Sequence, residues 1–219
     1  MKAKTAGKLF GLSLMAILAG TAAALDAPQL HPGAVWTYRI VDYFKHRETG
    51  SQTRTAVSSN EIRIETRLDE NRRADVRIFA APGAMSEGSL SERARGRMEP
   101  PLQLLVYPLE EGRQWKQTVT RIDNGGRHEM RLQAKVLGWE QIKVPAGEFR
   151  ALKVERLLFM GDGDAFRGET KRTEVEWYAP GIAMPVRAQV FDEFHFYRDR
   201  VLSPYTPGDW LIYELTAYK

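Results

Sequence analysis

The chain has 219 residues, 43% of them hydrophobic and 10% aromatic, and not one cysteine, which excludes disulfides, thiol catalysis, cysteine-held metals and a lipid-modified cysteine. Its formal charge of +4 rests on Lys2, Lys4 and Lys8; without those three, 29 basic side chains face 28 acidic ones, and so balanced a chain makes no electrostatic case for nucleic acid.

The three lysines precede an apolar run at residues 9–20 and the small residues Ala22, Ala23 and Ala24. This is the layout of a secretory signal, with cleavage expected after Ala24 and a periplasmic destination. The run is about a dozen residues long, short of the roughly 20 that cross a bilayer, and no transmembrane segment is expected in the mature chain. Residues 25–219 are expected to form a single domain able to bury roughly 70% of its unfolded surface around one core.

Residues 36–44, with Trp36, Tyr38, Ile40 and Val41, are rich in aromatic and β-branched side chains and predict a strand. Thr49-Gly50 predicts its turn, and residues 52–58 the return. Residues 61–68 then alternate, with Ile62, Ile64 and Leu68 on one face and Arg63, Glu65 and Arg67 on the other. Such arginines, interleaved with glutamate, fit a wetted face better than a phosphate patch. A further strand is expected over residues 75–80.

Residues 81–101 break the rhythm. Ser89 and Glu92 have capping-box spacing, and Leu90, Ala94 and Met98 follow at steps of four. The pattern predicts one short helix over residues 90–98, acting as a plug or a lid at the end of the sheet. Strands resume over residues 102–109 and 114–122. Asn124-Gly125 is a strong hairpin signal for a type I′ turn. The strand after it has His128, Met130, Leu132, Ala134 and Val136 on its inner row and Arg127, Glu129, Arg131, Gln133 and Lys135 on its outer row. Val144-Pro145-Ala146-Gly147 and Ala179-Pro180-Gly181-Ile182 mark two sheet corners, and strands over residues 186–197 and 209–218 complete the set. The pattern is all-β: an antiparallel β-barrel or half-barrel of about ten strands with one short helix.

Chemistry is thinly represented. Ser86 in Gly83-Ala84-Met85-Ser86-Glu87-Gly88 has the wrong spacing and setting for a nucleophile elbow. His31, His46, His128 and His195 are scattered, Glu193 with His195 gives only two ligands on one face, and Asp162 and Asp164 fit a Gly/Asp turn better than a calcium loop. No metal and no cofactor is expected. Glu174 and Glu176 share a strand face roughly 6.5–7 Å apart, a separation that overlaps the range of inverting glycosidases. Thr173, Val175 and Trp177 occupy the opposite face, so these glutamates are expected on the wet side unless the barrel is hollow.

The aromatics come from almost every strand, and a small barrel that encloses an apolar ligand would use them together with core residues. The candidate ligand-binding set is Trp36, Tyr38, Trp115, Met130, Leu132, Trp177 and Phe194.

Three motifs, Tyr107-Pro108-Leu109 with Gly112 and Trp115, Val144-Pro145-Ala146-Gly147-Glu148-Phe149 with Ala151-Leu152-Lys153-Val154, and Trp177-Tyr178-Ala179-Pro180-Gly181-Ile182, carry a resemblance. They resemble those of uncharacterised exported β-rich proteins of Gram-negative bacteria, whose general look is similar to the half-barrels that carry lipids or lipoproteins across the periplasm. The resemblance covers residues 107–182 and implies an apolar concave face, with a lipid, a lipoprotein or another cell-envelope protein as partner. Three functions follow as expectations: a non-enzymatic binding module, a structural or assembly protein acting through a sheet edge, or a glycosidase-like enzyme using Glu174 and Glu176.

Overall fold

The computed structural model describes residues 24–57, 62–68, 75–91, 94–164, 166–198 and 201–219. The expected leader lies outside them, as does Glu92 of the expected capping box. Fourteen strands run in chain order: β1 Val35–Asp42, β2 Arg47–Ala56, β3 Ile62–Leu68, β4 Asp75–Ala81, β5 Ala84–Ser91, β6 Ala94–Gln103, β7 Gln114–Asp123, β8 Gly126–Val144, β9 Gly147–Phe159, β10 Lys171–Tyr178, β11 Arg187–Phe194, β12 Tyr197–Arg198, β13 Val201–Leu202 and β14 Thr206–Tyr218. Twelve of them close one antiparallel barrel in the order β1-β14-β11-β10-β9-β8-β7-β6-β5-β4-β3-β2, and β12 with β13 forms a separate two-stranded hairpin.

The all-β antiparallel barrel is the first of the two expected forms, and it corrects the expectation on two counts: it has twelve strands, and no helix occurs among the described residues. Leu90 and Ala94 lie on β5 and β6, with Met98 further along β6. A step of four is twice the strand period, so Leu90, Ala94 and Met98 share one face of a ribbon as readily as one face of a helix. All three are buried in the same core cluster. The serine hydroxyls serve the hairpin instead of a helix cap, since Ser91 Oγ accepts from the Ala94 amide at 3.1 Å.

The turn chemistry departs from expectation in two places. The first hairpin turns at residues 43–46, where His46 takes a φ of 49°, while Thr49 and Gly50 lie inside β2 beside a bulge. At Asn124-Gly125 the hairpin forms where predicted, but Asn124 does not adopt positive φ. Asp123 Oδ1 accepts the Gly125 amide at 2.7 Å, an Asx turn that replaces the type I′ geometry.

The two Pro/Gly corners fall at one end of the barrel. Ile182 donates to the Ala179 carbonyl at 3.1 Å with Gly181 at φ 77°, the type II turn that Pro-Gly favours. Val144 pairs with Gly147 across the other, and a bulge between Val136 and Gly138 bends the long β8–β9 hairpin. Its tip reaches β14, where the Ala146 amide donates to the Leu215 carbonyl at 2.9 Å and the Phe149 ring meets Tyr218 edge-on. Ile142, Val144 and Ala151 thereby join Trp36, Ala56, Ile64, Val186 and Leu215 in a cluster that seals this end.

A second cluster of Met85, Met98, Leu102, Val119, Met130, Leu132 and Leu158 fills the space inside β5–β9. On β8 the expected alternation holds: Met130, Leu132, Ala134 and Val136 are buried, and Arg127, Glu129, Arg131, Gln133 and Lys135 are exposed. An outer face of that kind belongs in water, because a charged side chain on the lipid face of a membrane barrel costs about 2–4 kcal/mol near the midplane.

Candidate functional site

The register fixes which side chains enter the lumen. Between β9 and β10, Leu152 pairs with Tyr178, Val154 with Glu176, Arg156 with Glu174 and Leu158 with Arg172. Because Leu152, Val154 and Leu158 are buried core residues, Glu174 and Glu176 point inward with them. Thr173, Val175 and Trp177 take the outer face. There the Trp177 Nε1–H donates to Glu140 Oε2 at 2.8 Å, and Lys153 lies over its ring.

The lumen is therefore polar at its centre. Arg156 Nη2 donates to Glu174 Oε2 at 2.8 Å and also to Glu176, and Tyr178 donates its hydroxyl to the same Glu176 oxygen. Arg172 forks onto Asp192 with two bonds of 2.7 Å and donates to the Leu90 carbonyl. Burial pushes the Glu174 carboxyl upward, but the guanidinia of Arg156, Arg172 and Arg77 outweigh it and hold the group below its ordinary value of 4.5. Burial, and then the neighbouring Glu176, push the Tyr178 phenol well above its ordinary value of 10.0, so it stays a donor.

A carboxyl held below its ordinary pKa contributes stability that is present above pH 4.5 and is lost as the pH falls toward the folded value. Denaturant titrations of the wild type and Glu174→Gln from pH 7 to pH 3 are expected to show the largest stability gap near neutrality, closing below pH 4.5. A gap that widened on acidification would mean that Glu174 is neutral in the folded protein.

Two chambers flank this charged belt. The larger, about 560 Å³, is lined by Arg54, Thr66, Arg77, Arg172, Val190 and Leu211 among others. It lies toward the barrel end that carries residues 162–170 and 209. The smaller, about 80 Å³, is lined by Ile62, Ile64, Phe79, Leu104, Leu105 and Met184 toward the sealed end. Arg54, Thr66, Arg77, Glu174 and Glu176 line both, so the two chambers adjoin at the belt.

The residues singled out in the sequence take different places. Met130 and Leu132 are packed in the β5–β9 cluster, with Trp115 against it and its Nε1–H on the Gln103 carbonyl at 2.8 Å. Trp36 and Tyr38 are buried in the end cluster, and the Tyr38 hydroxyl donates to the Pro185 carbonyl at 2.9 Å. Phe194 is half-buried under the Arg167 guanidinium, which sits 3.6 Å above its ring. None of these six, nor Trp177, lines either chamber; Leu90, from the segment expected as plug or lid, lines the larger one.

The remaining candidates are spent on local structure. Asp162 accepts from both the amide and the hydroxyl of Thr170 at 2.6 Å, and Asp164 accepts the amides of Phe166 and Arg167. Ser86 Oγ donates to the Ile78 carbonyl, and His128 Nε2 lies 3.2 Å from Asp123 Oδ1. No group of three metal-ligating side chains occurs among the described residues. Arg54 and Arg77 escaped sequence reasoning, since Arg54 shares its strand face with Gln52 and Ala56 and Arg77 shares its face with Asp75 and Phe79, mixed rows that name no inner side.

No protein-family model matches the chain, and no curated protein does either. Among solved structures, it is similar to a candidate lipoprotein from Parabacteroides distasonis at 14% identity and a TM-score of 0.50, over 90% of this chain and 100% of that one. It is also similar to a candidate exported protein with a YmcC-like fold from Bacteroides fragilis, at 14% identity and a TM-score of 0.44 over the same shares. At that identity, what the chain shares with the Parabacteroides protein is its fold.

Proposed function

We propose that the protein is a non-enzymatic binding protein of the cell envelope that takes an amphiphile, such as a lipid or the acylated end of a lipoprotein, into the lumen of its barrel. The adjacency of a polar chamber and a narrow, more apolar one carries this reading, since a single molecule reaching both needs a polar and an apolar part. The larger chamber falls within the roughly 300–1,000 Å³ of ligand sites. The smaller has room for about half a dozen water-sized groups, the girth of an alkyl segment. Its exported, periplasmic setting rests on the leader-like residues 1–24.

The two other readings lack a supporting feature. A glycosidase acid needs a raised pKa, whereas Glu174 is held low and both glutamates are tied to Arg156. An edge-binding protein needs an unpaired sheet edge, and barrel closure leaves none among the twelve main strands.

The reading is tested by filling the larger chamber. Val190 faces the lumen opposite Glu174, and Val190→Trp is expected to weaken uptake of a fluorescent fatty-acid analogue by about tenfold or more, the size of a steric overpacking penalty. A wild-type protein that neither carries an amphiphile in native mass spectrometry nor takes up the analogue ends the proposal.

A further inference from the structure

We infer that the polar group of the cargo is an oxyanion, a carboxylate or a phosphate, held between Arg54 and Arg77 on the β2–β4 wall of the lumen. The inference rests on the amphiphile reading and adds the chemical class of the head group.

The chamber walls carry both signs of charge, but the pairing is uneven. Arg156 is bound to Glu174 and Glu176, Arg172 to Asp192, and Arg95 lies 3.7 Å from Asp75. Arg54 and Arg77 form no such ion pair among the described residues. Among the described residues Arg54 reaches the Gln52 side-chain oxygen, at 3.3 Å, and the Tyr38 ring. The Nε of Arg77 is buried without a hydrogen-bond partner.

Arg54 and Arg77 also feel each other: burial, and after it the field of Arg54, lower the Arg77 pKa from its ordinary value against the opposing pull of Glu174 and Asp75. The strand register explains the proximity: Arg54 on β2 pairs with Thr66 on β3, and Arg77 on β4 pairs with Ile64, two residues along on the same face. Both line the same space as Thr66, the partner of Arg54 across β2 and β3. An oxyanion placed there would meet two planar guanidinium forks and a hydroxyl, the donor arrangement that suits carboxylate and phosphate. It would also end the repulsion. From that point the apolar slot of Ile62, Ile64 and Phe79 begins, so the chain of an acidic amphiphile has its place next to its head.

The test is calorimetric titration of the mature protein with octanoate, octyl phosphate, octanol, octyltrimethylammonium and inorganic phosphate. The two octyl acids are expected to bind at least about tenfold more tightly than octanol, with the ammonium weakest and the preference falling as salt is raised. Arg54→Gln and Arg77→Gln should each weaken the acids about tenfold and leave octanol unchanged. Arg54→Gln, which removes a repulsion and breaks no ion pair among the described residues, should not lower the melting temperature of the empty protein, whereas Arg77→Gln also takes a cation away from Glu174 and Asp75. Octanol or the ammonium binding as tightly as the acids overturns the head-group assignment while the amphiphile reading stands, and so does a melting temperature that falls sharply in Arg54→Gln. Binding by no octyl compound overturns both. Inorganic phosphate matching octyl phosphate, with the same loss in the variants, upholds the oxyanion site and removes the chain.

Discussion

Arg156→Met is expected to destabilise the protein by about 3–5 kcal/mol, the cost of leaving buried carboxylates without their counter-charge. Arg156 and Glu174 side chains are only 3% and 9% exposed, and the guanidinium also serves Glu176 and the Leu104 carbonyl. Removing it strands two acids inside the barrel, and the loss appears as a melting temperature lower by roughly 6–20 °C in a domain of this size. The triple variant Arg156→Met, Glu174→Gln, Glu176→Gln removes the stranded charges and is expected to recover most of that loss, since exchanging a whole buried ion cluster for neutral groups is often close to neutral. If Arg156→Met melts with the wild type, the belt is solvated and contributes nothing to holding the walls together.

Leu132→Ala is expected to cost about 2–5 kcal/mol, against no more than about 0.5 kcal/mol for Gln133→Ala beside it. Leu132 is 1% exposed among Met130, Val119 and Leu158, while Gln133 faces solvent. The contrast tests register directly, because a shift of β8 by one residue exchanges the two faces. Urea denaturation reads it as a difference in midpoint at unchanged slope. Equal costs at both positions would mean that β8 is not packed as the pairing with β7 and β9 requires.

How much of this was legible in the sequence depends on what a period of two can say. Alternation in residues 126–136 showed which side chains share a face, and Pro-Gly showed where the chain reverses, so β8 and both corners were readable. The same period could not tell which face looks into the barrel when both carry polar groups. On β10, Glu174 and Glu176 alternate with Thr173, Val175 and Trp177, and solvent was the natural place for the acids. The structure turns them inward because Arg156 arrives from β9 at the matching rung, a partner eighteen positions away that no local pattern names. Arg54 and Arg77 were obscured for the same reason: charge in a strand points to solvent, and here both arginines line a chamber inside the barrel. The helix expected over residues 90–98 failed differently, since a spacing of four satisfies a strand as well as a helix, and only the pairing of Gly88 with Gly96 decides between them.

The seam of the barrel joins its first strand to its last: β1 pairs with β14 from Trp36 to Asp42, and β14 pairs with β11 on its other side. Until the final dozen residues have emerged, neither neighbour of β14 has its mate, and the ribbon stays open with its inner wall uncovered. Ring closure across nearly the whole chain makes folding slow by topology. A cell making this polypeptide must then shield a greasy, sticky-edged intermediate for as long as the last strand takes to dock.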